Sequence, residues 1–306
     1  MKKIINNTMA LAATLVLSVF LITFCTQTVE DPKGEDALDK LDDALQEFKT
    51  VGLLHNEIMD EVLDDFRNHD GQFEDKEGYF DFLEESLVRN LSSKDLLQGM
   101  KVEDIRSHVS QELAQLRSFY GNKPRKALDT DTDNYFQFTV SLYDGLLNPQ
   151  QMQILYQIEY IIHNASSTQE IISSLEMINY STQVQSLSHD DRLVIYAATS
   201  VGIESAIYWE ANFQYWVDAL AHGDSGTEFF KTLDGAGFFD SVQWFSGRRM
   251  VRADVAGAVG GAVTGCMAGA LVGGAGCLPG ALAGGLIGAA GASAHDAASQ
   301  ILEHHF

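Results

Sequence analysis

Glycines spaced by four near the C-terminus restrict this chain more than any other feature. They fall at Gly257, Gly261, Gly265, Gly269 and Gly273, and after a break at Gly276, Gly280, Gly284 and Gly288. At 3.6 residues per turn, steps of four line one face of a helix. That face carries no side chains, so a second backbone can settle into it. In an isolated helix each glycine costs about 1 kcal/mol relative to alanine. A phased run therefore requires a close helix–helix contact that offsets the cost. Gly273, Gly274, Gly276 and Pro279 break the phase and predict two helices joined as a hairpin over residues 251–306.

Charge separates this tail from the rest. No Asp, Glu, Lys or Arg occurs between Asp254 and Asp296. A first helix over 255–273 would be about 28 Å long, close to the ~30 Å core of a bilayer. A second, from Pro279 to about Ala294, would be shorter unless it continues to Leu302. The sequence supports two readings of the hairpin. In the first, its partners are a membrane or another glycine-zipper helix, including one from a second copy of the chain. In the second it is soluble, with glycine faces mated and the Val, Leu and Ile faces covered by the preceding residues. The first reading is taken as the expectation.

The chain of 306 residues has a formal net charge of -23, and residues 26–250 carry all of that excess. So acidic a surface repels polyanions, which excludes nucleic acid as a partner. Only four prolines occur, and apolar residues recur at three- and four-residue steps. The fold class is therefore all-α: an irregular multi-helix body over residues 36–250 followed by the hairpin. In the first helix the apolar positions read as Leu38, Leu41, Leu45 and Phe48, then Leu53, Leu54, Ile58, Val62, Leu63 and Phe66. Asn68 to Gly71 is a stop. Ser92 or Ser93 is a cap for a third helix. Asn148-Pro149, Ser166 or Ser167, and Ser188 with Asp191 are further starts. The last of these opens a long helix toward Leu220. Its small residues Ala197, Ala198, Ser200 and Gly202 admit a close neighbour, and its end is aromatic through Tyr208, Trp209, Phe213, Tyr215 and Trp216. Core packing is the reading taken for that cluster.

The N-terminus reads as an export signal over residues 1–25. Lys2 and Lys3 precede an uncharged apolar run from Met9 to Phe24 that ends at Cys25. Cys25 at that place predicts lipidation, although Phe24 is bulky where a small residue is preferred. An ordinary cleaved signal and an uncleaved anchor are the alternatives. Residues 26–35 then form a tether, and the expected location is the cell envelope, lipid-anchored or secreted. With Cys25 used, Cys266 and Cys277 remain as an even pair. A disulfide needs their Cα atoms within about 7 Å. If the first tail helix reached Gly273, Cys266 would lie about 10 Å below the turn. A bridge thus requires that helix to end sooner.

Chemistry-bearing motifs are sparse. His55, Asn56 and Glu57 place a base, an amide and a carboxylate together, which could serve acid–base work or a metal. No second histidine at ligand spacing joins them, so packing or capping is their expected role. Residues 129–134 alternate carboxylates like the opening of a calcium loop, but Asn134 and Val140 occupy the positions where glycine and glutamate are needed. No nucleophile elbow, phosphate loop or paired-cysteine motif occurs. The expectation is a protein that is not an enzyme, with no cofactor and no metal.

The tail from Ala256 to Ala294 resembles the glycine-rich two-peptide bacteriocins and the colicin V-like microcins, secreted helical peptides that act on membranes. The segments Gly52 to Glu57, Tyr196 to Trp209 and Asp254 to Gly260 resemble uncharacterised exported lipoproteins of Bacteroidetes-type bacteria. The first resemblance implies a membrane-interacting or self-associating tail. The second implies architecture only. The functional expectation is a non-enzymatic envelope-associated protein with a bacteriocin-like tail; the alternative is a surface structural or interaction lipoprotein with the hairpin buried against its body.

Overall fold

A computed structural model describes residues 35–69, 76–121, 135–220, 246–271 and 276–305. The leader with Cys25, the tether as far as residue 34, the acidic run 129–134, residues 221–245 and Gly273 lie outside them. The described residues are helical, with no strand among them. Residues 41–306 form one compact unit that includes the hairpin.

The helices are α1 (Glu35–Asn68), α2 (Lys76–Ser92), α3 (Val102–Gly121), α4 (Tyr135–Leu142), α5 (Pro149–Asn164), α6 (Thr168–Asn179), the short α7 (Thr182–Gln185), α8 (His189–Leu220), α9 (Gly247–Leu271) and α10 (Cys277–His305). Their starts follow local chemistry. Asn148 accepts from the Gln151 amide while the Gln151 side chain accepts from the Asn148 amide, a reciprocal cap ahead of Pro149. Ser167 caps α6, and the Ser188 hydroxyl accepts from the Asp191 amide at the head of α8. Ser92 and Ser93 act differently from expectation. Their hydroxyls donate to the carbonyls of Val88 and Asn90 and close α2, while α3 begins only at Val102.

In α1 the buried face runs through Phe48, Val51, His55, Ile58, Met59 and Val62. Leu53, expected inside, is half exposed, because the 3.6-residue period carries the core stripe through His55 instead. In the aromatic end of α8, Tyr208, Trp209, Phe213 and Trp216 are buried. Tyr215 is outside, with the Arg67 guanidinium 5.9 Å from its ring centre.

The hairpin lies at the centre of the unit. Helices α9 and α10 share its largest interface, and α3, α4 and α8 pack around them. The glycine faces mate in antiparallel register: Gly257 opposite Gly288, Gly261 opposite Gly284, Gly265 opposite Gly280 and Gly269 opposite Gly276. A Cβ added at Gly269, the loosest of the four on α9, would lie 2.6 Å from the Gly276 carbonyl oxygen. The other three would come closer still to backbone. The remaining surface is covered: α9 is buried from Met250 to Val263 and α10 from Ala281 to Gln300, apart from Ala283. Gly202 on α8 admits Leu175 and Val255, and Gly260 admits the Tyr143 ring.

Both tail helices differ from their expected lengths. Helix α9 begins at Gly247 rather than at the expected Val255, so Arg248, Arg249 and Arg252 sit on it. It ends at Leu271, and α10 begins at Cys277 and continues to His305. Cys277 therefore lies level with the last turns of α9 and not above them. Cys266 and Cys277 are joined in a disulfide with Cα atoms 4.1 Å apart. Closing this 11-residue separation restricts the unfolded chain by about 2–3 kcal/mol. Replacing both cysteines with serine should lower the unfolding free energy by that amount, read from the shift in midpoint by chemical denaturation without reductant. An unchanged midpoint would show that the glycine contact alone closes the hairpin.

Candidate functional site

The structure divides the His55-Asn56-Glu57 triplet. Glu57 is exposed and accepts from Lys94 Nζ at 2.7 Å, with Glu61 on the same ammonium at 2.8 Å. Burial works against the Lys94 charge, but its bonds to the two glutamates outweigh that and raise its pKa. His55 points the other way, fully buried. Its Nδ1 lies 3.0 Å from Asn56 Oδ1, and its Nε2 lies 3.6 Å from Asp254 Oδ2. Asn56 donates to the Glu204 carbonyl at 3.0 Å, tying α1 to α8.

Asp254 is the centre of this cluster. It is fully buried on α9, one helical turn before Gly257. Its Oδ2 accepts from Ser205 Oγ at 2.5 Å and Trp209 Nε1 at 2.9 Å, both on α8. Ser293, on α10, also faces the carboxylate. Burial pushes the Asp254 carboxyl above its usual range, and His55, Ser205, Ser293 and Trp209 oppose this without cancelling it. The cluster thus pins four helices, α1, α8, α9 and α10, at the open end of the hairpin.

This geometry does not make a hydrolytic triad. In such a triad the serine donates to histidine, and the carboxylate holds the opposite ring nitrogen. Here Ser205 and His55 both turn to the same Asp254 oxygen, so no hydroxyl is activated. Both residues of the His–Asp pair are also sealed from solvent. Among the described residues, no group of three or more His, Cys, Asp or Glu side chains is placed to hold a metal ion.

A second polar cluster lies further along α10. Arg249 Nε donates to Asp296 at 2.8 Å, and Gln300 donates to the same carboxylate at 2.8 Å. Gln300 also accepts from the Ser246 amide, holding the start of α9. The His295 ring stacks on Phe80 with centres 5.1 Å apart. Asp254 and Asp296, which bound the uncharged stretch, are thus both matched to partners inside the body. The sequence shows the two charges at the ends of that stretch. Their partners come from distant segments and carry no local signal.

Two buried groups give opposite pH responses. Burial raises the Glu112 carboxyl on α3 from its ordinary 4.5 to about 7. Burial, aided by Arg117 and Arg249, lowers His295 from 6.5 to about 3. Glu112 is therefore protonated when folded and ionised when unfolded between these limits, so its stabilising effect is present below 4.5 and lost as pH rises through about 7. His295 is neutral when folded, and its contribution is present above 6.5 and lost as pH falls toward about 3. The two slopes oppose one another between pH 4.5 and 6.5. Glu112→Gln should unmask a stability that rises with pH across that window, and His295→Gln one that falls. Each slope approaches about 1.4 kcal/mol per pH unit. Urea denaturation at half-unit pH steps reads both; parallel profiles for wild type and Glu112→Gln would show that Glu112 does not titrate as its burial requires.

No family model matches the chain, and neither the curated proteins nor the solved structures give a match.

Proposed function

We propose that this is an exported, envelope-associated interaction protein without enzymatic activity, in which the glycine hairpin is the structural core of the helical body. The observation that carries this reading is the double closure of the hairpin. Its glycine faces are mated to each other, and its outer faces are buried against α3, α4 and α8. Polar residues within it support the same reading. Asp254 and Asp296 are matched to hydrogen-bond donors on neighbouring helices, an arrangement that insertion into lipid would forfeit at several kcal/mol per orphaned group. The large acidic surface then faces solvent and partners. Lipidation of Cys25 would hold the body at a membrane without the hairpin entering it.

A second reading, direct lipid contact by the hairpin, draws on one feature. Cys277–Gln300 has the length and mean hydropathy, 1.4, of a membrane span, although 78% of that window is buried within the protein. Flotation separates the readings. The chain from Thr26 onward, mixed with phosphatidylethanolamine–phosphatidylglycerol vesicles at neutral pH, should stay at the bottom of a density gradient. Flotation with the vesicles would overturn the buried-core reading and favour the second.

A further inference from the structure

Away from the hairpin, α1, α6 and α8 line an open cavity of about 660 Å³. Glu204 lines it together with Lys49, Glu176, Met177, Tyr180 and Ile203. Glu204 is more than nine-tenths buried, yet among the described residues no hydrogen bond or ion pair reaches its carboxylate. Its position is built by the fold. A Cβ at Gly52 would lie 2.8 Å from Glu204 Cγ, so only glycine on α1 leaves room for this side chain. Burial raises the carboxyl pKa, and Lys49 lowers it by attraction without making contact.

The Glu204 carboxylate oxygens reach solvent through the cavity and have no protein partner among the described residues, so a cation entering the cavity meets a recessed, unneutralised charge. Met177 and Tyr180 at the edge of the cavity are each about two-thirds exposed, at 67% and 66%. Large apolar side chains so exposed beside a cavity are suited to an organic ligand. The tyrosine ring offers a face to a cation. With two carboxylates against one lysine, the lining has net negative charge.

We propose that this cavity binds a small organic cation, an amine with a compact apolar body, whose ammonium group pairs with Glu204 and whose body rests on Met177, Tyr180 and Ile203. The site lies outside the His55–Asp254 cluster and does not depend on how the hairpin is used. Binding is carried by the charge, so the neutral isostere of a ligand should fail.

The test is a titration of the full chain with 2-phenylethylamine, cyclohexylmethylamine and choline, alongside 2-phenylethanol as the neutral isostere of the first. Calorimetry reads affinity. At least one amine should bind saturably at one site, and 2-phenylethanol at least tenfold more weakly than 2-phenylethylamine. Glu204→Gln keeps the shape of the side chain and should weaken amine binding at least tenfold. Tyr180→Ala, at an exposed position, should weaken it severalfold. Lys49→Gln should strengthen it. The absence of saturable binding by all three amines would overturn the proposal. Binding of the alcohol as tight as that of its amine, or amine affinity unchanged in Glu204→Gln, would overturn it equally.

Discussion

Gly284→Ala should destabilise the protein by about 3–5 kcal/mol, whereas Gly285→Ala, one residue along, should be neutral or slightly stabilising. The contrast isolates the zipper contact from general helix propensity. A Cβ at Gly284 would strike the carbonyl oxygen of Gly261, part of a backbone that no rotamer change can move aside. Helices α9 and α10 would have to separate, and each lost ångström forfeits contacts along their whole length. At Gly285 the nearest atom to an added Cβ is 3.7 Å away, an ordinary contact with the Ala258 carbonyl oxygen. There the substitution gains helix propensity of up to about 1 kcal/mol. Denaturant midpoints of the two variants check this directly. Equal effects would mean that the two helices do not meet on the glycine face.

Asp254→Leu should cost a similar amount for a different reason. It removes the acceptor shared by Ser205 Oγ and Trp209 Nε1 and leaves His55 facing an apolar side chain. Breaking one side of a buried charged cluster costs about 3–5 kcal/mol, because the remaining groups stay buried without partners. Asp254→Asn keeps the shape and one acceptor oxygen and should cost clearly less. The double variant His55→Leu with Asp254→Leu should be more stable than the sum of the single effects, since it also removes one of the stranded partners. Additive effects would show that His55 and Asp254 do not interact. The pair also fixes the orientation of α1, so tryptophan fluorescence from Trp209 should shift in Asp254→Leu even where the variant remains folded.

The glycine hairpin was legible because its signal is periodic and local. Four-residue steps define a face without knowledge of any other segment, and Cys277 and Pro279 mark the return. The starts of α5, α6 and α8 were legible for the same reason, since Asn148, Ser167 and Ser188 act on amides within three residues. Ser92 and Ser93 misled because a serine hydroxyl can close one helix as readily as open another. The covering of the hairpin could not be read. It depends on α3, α4 and α8 arriving from separate earlier segments of the chain, with small side chains such as Ala197 and Gly202 that look the same in a membrane interface and a soluble core. The His55–Asp254 cluster was half legible. His55 stood out, but Asp254 was read as the edge of an apolar run rather than as its partner. The extension of α9 back to Gly247 was hidden because Arg248, Arg249 and Arg252 interrupt the apolar pattern that marks the hairpin. Arg249 instead bonds Asp296, and Arg252 lies 3.5 Å from Glu159.

These features share one physical theme. The least polar part of the chain is held by its most specific polar contacts. Glycine faces set how closely α9 and α10 approach, and Asp254 and Asp296 set where the pair sits within the body. Native-state hydrogen exchange of the full chain, with and without anionic vesicles, tests this most directly. A buried core hairpin requires the amides of Val255–Gly261 and Gly284–Ala292 to exchange only through global unfolding, at the slowest rates in the protein and unchanged by lipid. Faster exchange there than in α8, or a lipid-induced loss of protection in α3 and α8 while the hairpin stays protected, would contradict it.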